Sequence, residues 1–413
     1  QIYESTIYIF TVDSRIIQKM TLQYGMIVID KYTKLRGGFS MILLGIDVLQ
    51  RTEFADLKNK AVGLVTNYSF VDSNLNWGLD LLFENGLNVK KIFTPEHGLG
   101  GAADGAHVSD DLHPKYGVPV VSLYGDKRKP SQEDLEGLGV LVYDIQDVGL
   151  RFYTFIYTLA YTMESAAEAG IQYTVLDRPN PLGRGVFGSR IDNELQTFVG
   201  GYRLPLQYGL TAGELALYFK KLKKLDLDLQ VVKLEGWNGE PHDATSLLWN
   251  VPSPNVPTYE SLLGYAGTCF FESTNVSEGR GTFKPFILIG APWIDGSDFA
   301  AYLRREFPDL RLRSREFMPF YRKYANANCS GVEFFPSNDD NFFVITLKMM
   351  EYLLKYEQFE IMDRSDDLIG IKKSAQKIRT RKLDYYQWKE SGMEYINFVE
   401  DCLLYPGELN YRD

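Results

Sequence analysis

Residues 139–181, GVLVYDIQDVGLRFYTFIYTLAYTMESAAEAGIQYTVLDRPNP, predict a strand, a helix and a second strand. The first apolar run (139–149) ends in polar residues, and the second (171–181) is stopped by two prolines. Residues 151–170, which lie between them, have the length of a long helix, and Gly170 closes it. Because a helical crossover joins parallel strands, this unit indicates a parallel sheet.

The same alternation extends towards the N-terminus. Apolar runs at 61–67, 89–95 and 118–125 predict three more strands, and residues 76–86 and 131–139 predict helices between them. Strands that are apolar throughout and separated by helices indicate a sheet that is covered on both faces. We therefore expect an α/β fold built on a parallel sheet.

The second half of the chain is less regular. Residues 211–224 predict a helix, and residues 228–234 predict a strand. A Pro-rich stretch (251–260) and a polar loop (271–285) follow, before helices and strands alternate again. The 413 residues are enough for two domains. We expect an N-terminal extension at 1–40, a catalytic sheet domain at 41–185, a connecting region with cleft loops at 186–290 and an α+β C-terminal domain at 291–413.

The first 40 residues carry scattered charges and lack the basic start, apolar core and small-residue cleavage site of a secretory signal. We expect them to be dispensable, with Met41 as a plausible natural start. No segment of the sequence is long and apolar enough to span a bilayer. The expected location is cytoplasmic, and a secreted or periplasmic location is the alternative if a signal is missing from this sequence.

Composition and motifs exclude several partners and cofactors. A net charge of −10 argues against nucleic acid and anionic membranes as partners. Three cysteines without a CxxC pair argue against a disulfide framework. The sequence has no dinucleotide fingerprint after the first strand, no P-loop, no HExxH and no serine-hydrolase elbow. We expect no cofactor and no metal, although one histidine and aspartate cluster leaves a metal site open: His97, His107 and His113 with Asp104, Asp110 and Asp111.

Polar side chains follow each predicted strand of the first half. Ligands of open parallel sheets bind beyond the carboxyl ends of the strands, so we expect these side chains around one crevice. Gly98, Gly100 and Gly101 would let the backbone approach a ligand closely. The alternative is that each cluster only caps the helix that follows it. The clusters are Thr66, Asn67 and Tyr68; Glu96 and His97; Tyr124 and Asp126; Asp144, Gln146, Asp147 and Arg151; and Asp177, Arg178 and Asn180.

Carboxylates beside polar and aromatic side chains are typical of glycoside hydrolysis, in which one acid protonates the leaving oxygen and a second group assists at the anomeric carbon. Six ordered motifs also resemble one family, the exo-β-N-acetylmuramidases of glycoside hydrolase family 171, from about Gly45 to the C-terminus. The motifs are TPEHGLGG (94–101), DVGLRFYTFIYT (147–158), VLDRPNPLG (175–183), LTAGELA (210–216), PSPNVPTYES (252–261) and YAGTCFFESTNVSEGRGTFKPF (265–286).

The resemblance implies a Rossmann-like domain, a smaller C-terminal domain and a site in the cleft between them. It implies release of terminal N-acetylmuramic acid from the non-reducing end of peptidoglycan fragments during cell-wall recycling. Glu96, in the EHG motif, becomes the general acid/base. Two family arginines are replaced here, at Gly100 and Gln207. A general β-N-acetylhexosaminidase and a non-catalytic protein that binds a glycan or nucleotide-sugar are the alternatives.

The second catalytic group is expected among three carboxylates. Asp147 and Glu278 rank level, and Glu272 follows, on the polar loop that could fold over the cleft. Local pairing of Asp147 with Arg151, or of Glu278 with Arg280, is the structural alternative. Arg178 is the first candidate for the lactyl carboxylate. The residues expected to bind substrate come from the strand-end clusters and from these motifs: Asn67, His97, Tyr124, Arg151, Asp177, Arg178, Asn180, Glu272, Asn275 and Arg280.

Overall fold

A computed structural model describes residues 41–101 and 111–412. The predictions for residues 1–40 and for Asp104, His107 and Asp110 lie outside these described residues. From Ile42 onward the described residues pack as one compact unit. Within them, no helix has both the length and the apolar character that crossing a bilayer requires.

The strands and helices alternate through most of the chain. The strands are β1 Val62–Thr66, β2 Val89–Thr94, β3 Asp111–Leu112, β4 Pro119–Ser122, β5 Val140–Asp144, β6 Gln172–Leu176, β7 Gly185–Phe187, β8 Gln207–Tyr208, β9 Leu229–Val232, β10 Leu288–Ala291, β11 Leu312–Phe317, β12 Cys329–Phe334 and β13 Asn410–Tyr411. The helices are α1 Gly45–Arg51, α2 Gly78–Glu84, α3 Gln132–Leu135, α4 Phe155–Ala169, α5 Ala212–Lys223, α6 Tyr259–Thr268, α7 Gly296–Glu306, α8 Phe342–Leu353, α9 Ser365–Ile369, α10 Ser374–Arg379 and α11 Trp388–Val399.

The main sheet has seven strands in the order β3-β4-β2-β1-β5-β6-β9. Every neighbouring pair is parallel except β3 with β4. The predicted parallel α/β sheet is therefore confirmed. The strand predicted at 228–234 is β9, which pairs with β6 and carries the sheet past residue 185. The division of the chain into domains stays a prediction.

The two faces of this sheet explain why its strands are apolar throughout. Successive side chains of a strand point to opposite faces. Leu64 and Val142 belong to a core with Leu79 of α2, whereas Leu141 belongs to a core with Phe155 of α4. Each face is thus covered by helices, which is the arrangement that a parallel sheet requires.

The C-terminal part forms a smaller α+β layer, as predicted. Strands β10, β12 and β11 make an antiparallel sheet, and α7 and α8 pack near it. The buried core of α4 continues into this layer without a break. For example, the ring of Phe187 in β7 stacks on Phe343 of α8, with 4.8 Å between ring centroids. The last strand, β13, pairs with β7 and ties the C-terminal residues to the middle of the chain.

Two helix starts follow the sequence signals. The hydroxyl of Thr211 accepts a hydrogen bond from the backbone N–H of Glu214, and the Glu214 carboxylate accepts one from the N–H of Thr211. Ser131 caps α3 by accepting from the N–H of Asp134. Both capping boxes satisfy N–H groups that the first helical turn leaves unpaired.

Candidate active site

A cavity of about 430 Å³ opens at the carboxyl ends of β2 and β4. The sheet edge and the segment before α4 form one wall, and loops from the second half form the other. The first wall consists of Glu96, His97, Tyr124, Phe152, Tyr153, Thr154, Phe155, Phe198 and Val199. The second consists of Ser253, Asn255, Val256, Tyr265, Cys269, Glu272, Phe286, Leu368 and the three arginines Arg280, Arg322 and Arg364.

Glu96 lies at the end of β2 in a turn with an unusual backbone. His97 has φ = 71°, and Gly98 has φ = 68°, so two successive residues adopt the left-handed conformation. For histidine this conformation costs about 1–2 kcal/mol. Strain of this kind occurs where a side chain must be aimed at a ligand. The hydroxyl of Thr154, just before α4, donates a 2.7 Å hydrogen bond to Oε2 of Glu96 and fixes the carboxylate in the cleft.

The glycines of this turn differ in their roles. Gly101 has φ = 65°, and a Cβ there would overlap the ring of Tyr68. Glycine is therefore required both by the backbone and by the close approach of Tyr68. At Gly100 a Cβ would meet no atom of the described residues within 4 Å. A Cβ at position 100 is therefore sterically tolerated among the described residues, in contrast to position 101.

Glu272 brings a second carboxylate into the same cavity. It follows α6 on a short 3₁₀ turn, Cys269–Ser273. The Arg280 guanidinium donates to its Oε1 at 2.5 Å, and Arg364 lies 3.6 Å from its Oε2. Burial alone would lower the pKa of Arg280, but Glu272 and Glu278 outweigh it and hold the Arg280 pKa above its usual value. Arg280 therefore lies between two carboxylates, with its shorter contact to Glu272.

The other two carboxylate candidates are buried outside this cavity. Both Tyr208 and the N–H of Gly149 donate to Oδ2 of Asp147, and burial raises the pKa of Asp147 to about 6. Glu278 forms an ion pair with Lys323 at 2.9 Å. The alternative pairing of Asp147 with Arg151 is absent among the described contacts, whereas Arg280 lies 3.9 Å from Oε1 of Glu278. Neither Asp147 nor Glu278 lines the cleft.

Two arginines expected in the cleft are buried elsewhere. Arg178 is 3% exposed, forms an ion pair with Asp144 and donates to the carbonyl of Val71. Arg151 is fully buried and donates to backbone carbonyls, including that of Leu204 at 3.2 Å. Burial lowers the pKa of Arg151 to about 10. Both arginines were predicted to face the cleft, but neither lines it. Each guanidinium donates instead to backbone carbonyls in the core.

Four further polar candidates have structural partners outside the cleft. Asp177 accepts hydrogen bonds from Thr211 and from the N–H of Gly213, so it holds the start of α5 against the sheet. Asn67 accepts from Ser69, Asn180 donates to the carbonyl of Leu210, and Asn275 donates to the carbonyl of Gln358. Arg178 and Asn180 line a separate small cavity of about 40 Å³. The single crevice that was expected at the sheet edge is thus divided in two.

Of the predicted histidine cluster, the two members within the described residues, His97 and His113, lie at different places. The ring of His113 lies 5.7 Å from that of Trp77 and 5.1 Å from that of Tyr116, between centroids, and it does not line the cleft. Among the described residues, no group of three His, Cys, Asp or Glu side chains is arranged to hold a metal ion. The described lining of the cleft carries two carboxylates, Glu96 and Glu272, and three arginines.

Several cleft residues carry no signal that sequence reasoning could detect. Arg322 and Arg364 come from loops that are distant in sequence, and neither follows a predicted strand. Phe152 to Phe155 were assigned to a helix, but α4 begins only at Phe155. The preceding turn, whose Arg151 N–H donates to the carbonyl of Leu206, directs residues 152–154 into the cavity.

Fold and site together define an α/β enzyme whose cleft, at the carboxyl edge of a parallel sheet, carries two carboxylates. Residues 62–260 match the family model of the N-terminal part of exo-β-N-acetylmuramidase NamZ, and residues 263–405 match that of its C-terminal part. The chain belongs to this exo-β-N-acetylmuramidase family of glycoside hydrolases.

Individual relatives agree with this assignment. The peptidoglycan β-N-acetylmuramidase NamZ of Bacillus subtilis (strain 168) is 44% identical over 303 residues, which are 72% of this chain and 73% of the relative. Two crystal structures of DUF1343 family proteins from Bacteroides fragilis share the fold. One has a TM-score of 0.81 and 30% identity and covers 88% of this chain and 99% of its own. The other has a TM-score of 0.75 and 29% identity, with coverages of 89% and 100%.

Proposed function

We propose that this protein removes N-acetylmuramic acid from the non-reducing end of β-1,4-linked peptidoglycan fragments in cell-wall turnover, with Glu96 as the general acid/base. The observation that carries the proposal is the position of Glu96, which a strained turn and Thr154 hold in the cleft. The hydrogen bond occupies Oε2, which leaves Oε1 to carry the proton that the leaving oxygen receives.

Glu272 is our choice for the second catalytic group. Of the three carboxylates predicted for this role, it is the one that lines the same cavity as Glu96. Arg280 holds its carboxylate in place through an ion pair, facing the cavity in which positive charge develops at the anomeric carbon. Asp147 and Glu278 are buried and hydrogen-bonded elsewhere, and we assign them to the framework.

Arg364 is our candidate for binding the lactyl carboxylate that distinguishes muramic acid from N-acetylglucosamine. Its side chain is 53% exposed, and its contact with Glu272, at 3.6 Å, is longer than that of Arg280. Arg280 is thus committed to Glu272, whereas Arg364 can turn towards a substrate anion. A charge-assisted hydrogen bond of this kind contributes about 1.5–3 kcal/mol.

The function is tested with a chromogenic N-acetylmuramide and with Glu96→Gln, which keeps the size of the side chain but removes the proton. We expect the wild type to hydrolyse the muramide and the variant to lose at least about 10²-fold in turnover while it still binds the sugar. Glu168→Gln, a change at an exposed glutamate of α4, is the matched control. Near-normal turnover in Glu96→Gln would remove Glu96 from the mechanism, and binding without any wild-type turnover would indicate a non-catalytic glycan-binding protein.

Location and partners rest on the sequence alone. A cytoplasmic enzyme, with a secreted or periplasmic one as the alternative, and the lack of nucleic-acid and membrane partners stay predictions. Cell fractionation followed by immunoblotting tests the location.

A further inference from the structure

A second cavity adjoins the cleft, and the ring of Phe198 borders both. Phe198 lines the cleft and also a neighbouring cavity of about 490 Å³. We call this second cavity the side groove; its main side chains are Arg128, Tyr161, Glu164, Phe198, Arg203 and Lys223. A further open cavity shares Arg128, Tyr161 and Glu164 with it, so the depression runs on over the surface.

Aromatic rings line this path in succession. The ring centroid of Phe198 lies 6.4 Å from that of Tyr124 in the cleft and 6.3 Å from that of Tyr161 in the side groove. The rings of Phe198 and Tyr161 are nearly parallel, at 21°. Large rings of this kind present apolar faces with a polar tip on tyrosine, a surface that suits the alternating apolar and hydroxylated faces of sugars.

The side groove also holds two cations without acidic partners. Arg128 is exposed, and its guanidinium carbon lies 4.5 Å above the Phe198 ring. Its neighbours Lys127 and Lys129 are paired with acids, but in the described part of the chain neither Arg128 nor Arg203 forms an ion pair. In a protein of net charge −10, two unpaired arginines in one groove attract an anion specifically.

Glu164 is the acidic side chain of the groove, and its charge is offset. The hydroxyl of Tyr202 donates to it at 3.0 Å, and Lys223 and Lys129 lie 3.6 Å and 3.8 Å from its oxygens. Lys223 is thus paired with Glu164, and Lys129 is paired more closely with Glu168, at 2.6 Å. The net positive charge of the groove remains on Arg128 and Arg203.

We propose that the side groove binds the part of the glycan that follows the cleaved sugar, with Arg128 and Arg203 receiving the carboxylate of its next muramic acid unit. This inference rests on the proposed function. A cavity of about 430 Å³ lies near the lower end of small-ligand pockets, which span about 300–1,000 Å³, so the rest of a long glycan must lie outside it. Phe198 and Tyr161 stack on the sugars in between.

The test compares two substrates that end in the same sugar. One is a tetrasaccharide of alternating N-acetylmuramic acid and N-acetylglucosamine with muramic acid at its non-reducing end, and the other is the chromogenic muramide. In Arg128→Met we expect the ratio of kcat/KM for the tetrasaccharide to that for the muramide to fall about tenfold, because one charge-assisted hydrogen bond is lost. Arg203→Met should lower it in the same direction. Arg311→Met, at an exposed arginine outside the groove, is the charge-matched control and should keep the wild-type ratio.

The wild-type ratio should also fall with added salt, and Arg128→Met should weaken this dependence, because the contact is exposed and therefore screened. Ratios within twofold of wild type in both groove variants would overturn the assignment while the hydrolysis of the muramide stands. A wild type that hydrolyses neither substrate would overturn the proposed function, and the groove assignment with it. Calorimetric binding of the tetrasaccharide to Glu96→Gln, with and without Arg128→Met, gives the same comparison without turnover, and equal affinities there would also overturn it.

Discussion

At the scale of single residues, substrate recognition in the cleft depends on which arginines are already paired within the protein. Arg280 holds Glu272 at 2.5 Å, and Arg178 and Arg151 are buried in the core, whereas Arg364 is half exposed beside Glu272 and can meet a lactyl carboxylate. Arg364→Met should lower the preference for the muramide over the matching glucosaminide by about ten- to a hundred-fold in kcat/KM.

Residual hydrolysis of the glucosaminide should survive in this variant, because the catalytic carboxylates remain. Arg379→Met, at a second exposed arginine whose guanidinium donates only to a backbone carbonyl, is the control. Equal wild-type rates on both sugars would show that the lactyl group is not recognised, and the enzyme would then be a general β-N-acetylhexosaminidase.

Asp147 gives the protein a pH-dependent stability. Burial raises its pKa from 3.8 to about 6 in the folded state. Between about pH 4 and 6 the folded protein retains a proton that the unfolded chain has lost, so the Asp147 contribution to stability falls as pH rises through this window. Two pKa units correspond to about 3 kcal/mol.

Asp147→Asn removes this titration. We compare the free energy of unfolding of the wild type with that of the variant. The wild-type value minus the variant value should decrease by about 2–3 kcal/mol from pH 4 to pH 6.5. Urea unfolding at several pH values measures this difference. Asp144 and Asp177 titrate in both proteins and cancel in the difference. A difference that stays constant over this range would contradict the assignment.

At the scale of elements, the turn after β2 depends on one glycine and not on its neighbour. Gly101→Ala would force alanine to φ = 65° and push its Cβ into the Tyr68 ring. We expect a loss of at least about 1–2 kcal/mol of stability and reduced activity, because the same turn aims Glu96. Gly100→Ala is the matched control and should change both by little. Equal effects at the two positions would contradict this reading of the turn.

The elements were largely predictable from the sequence, whereas the site was only partly so. Strand and helix positions follow from local periodicity and caps such as Thr211, and Glu96 follows from its strand end and glycine turn. The sequence does not tell which strand ends are covered by later loops. Arg178 was therefore expected in the cleft although it pairs with Asp144, and Arg364 was missed because tertiary packing alone brings it beside Glu272.

At the scale of the whole molecule, the cleft exists only when both halves of the chain are assembled. Glu96 comes from the sheet, and Glu272 and Arg364 come from the part matched by the second family model, yet all three line one cavity. The hydrophobic core runs without a break from α4 into α8. Catalytic geometry and global stability are therefore linked in this fold.

The C-terminal segment contributes directly to that stability. The N–H of Leu404 donates to Glu214 at 2.8 Å, and the hydroxyl of Tyr405 donates to Asp177 at 2.5 Å, so the segment satisfies two acids buried beside the sheet. Arg184 pairs with Glu214 and also donates to the carbonyl of Tyr405. Removing these partners leaves buried polar groups without hydrogen bonds. Each such group costs about 1–3 kcal/mol of stability, and a charged group costs more.

Ending the chain at Leu403 should therefore lower the melting temperature by several degrees and reduce activity in proportion to the unfolded fraction. A chain that begins at Met41 is the matched truncation. Because residues 1–40 lie outside the family resemblance, we expect it to melt at the same temperature as the full chain. Calorimetry of the three proteins at one pH measures both effects. If the C-terminal truncation melted at the same temperature as the full chain, Glu214 and Asp177 would find other hydrogen-bond partners. If removal of residues 1–40 lowered the melting temperature, the extension would be part of the folded unit.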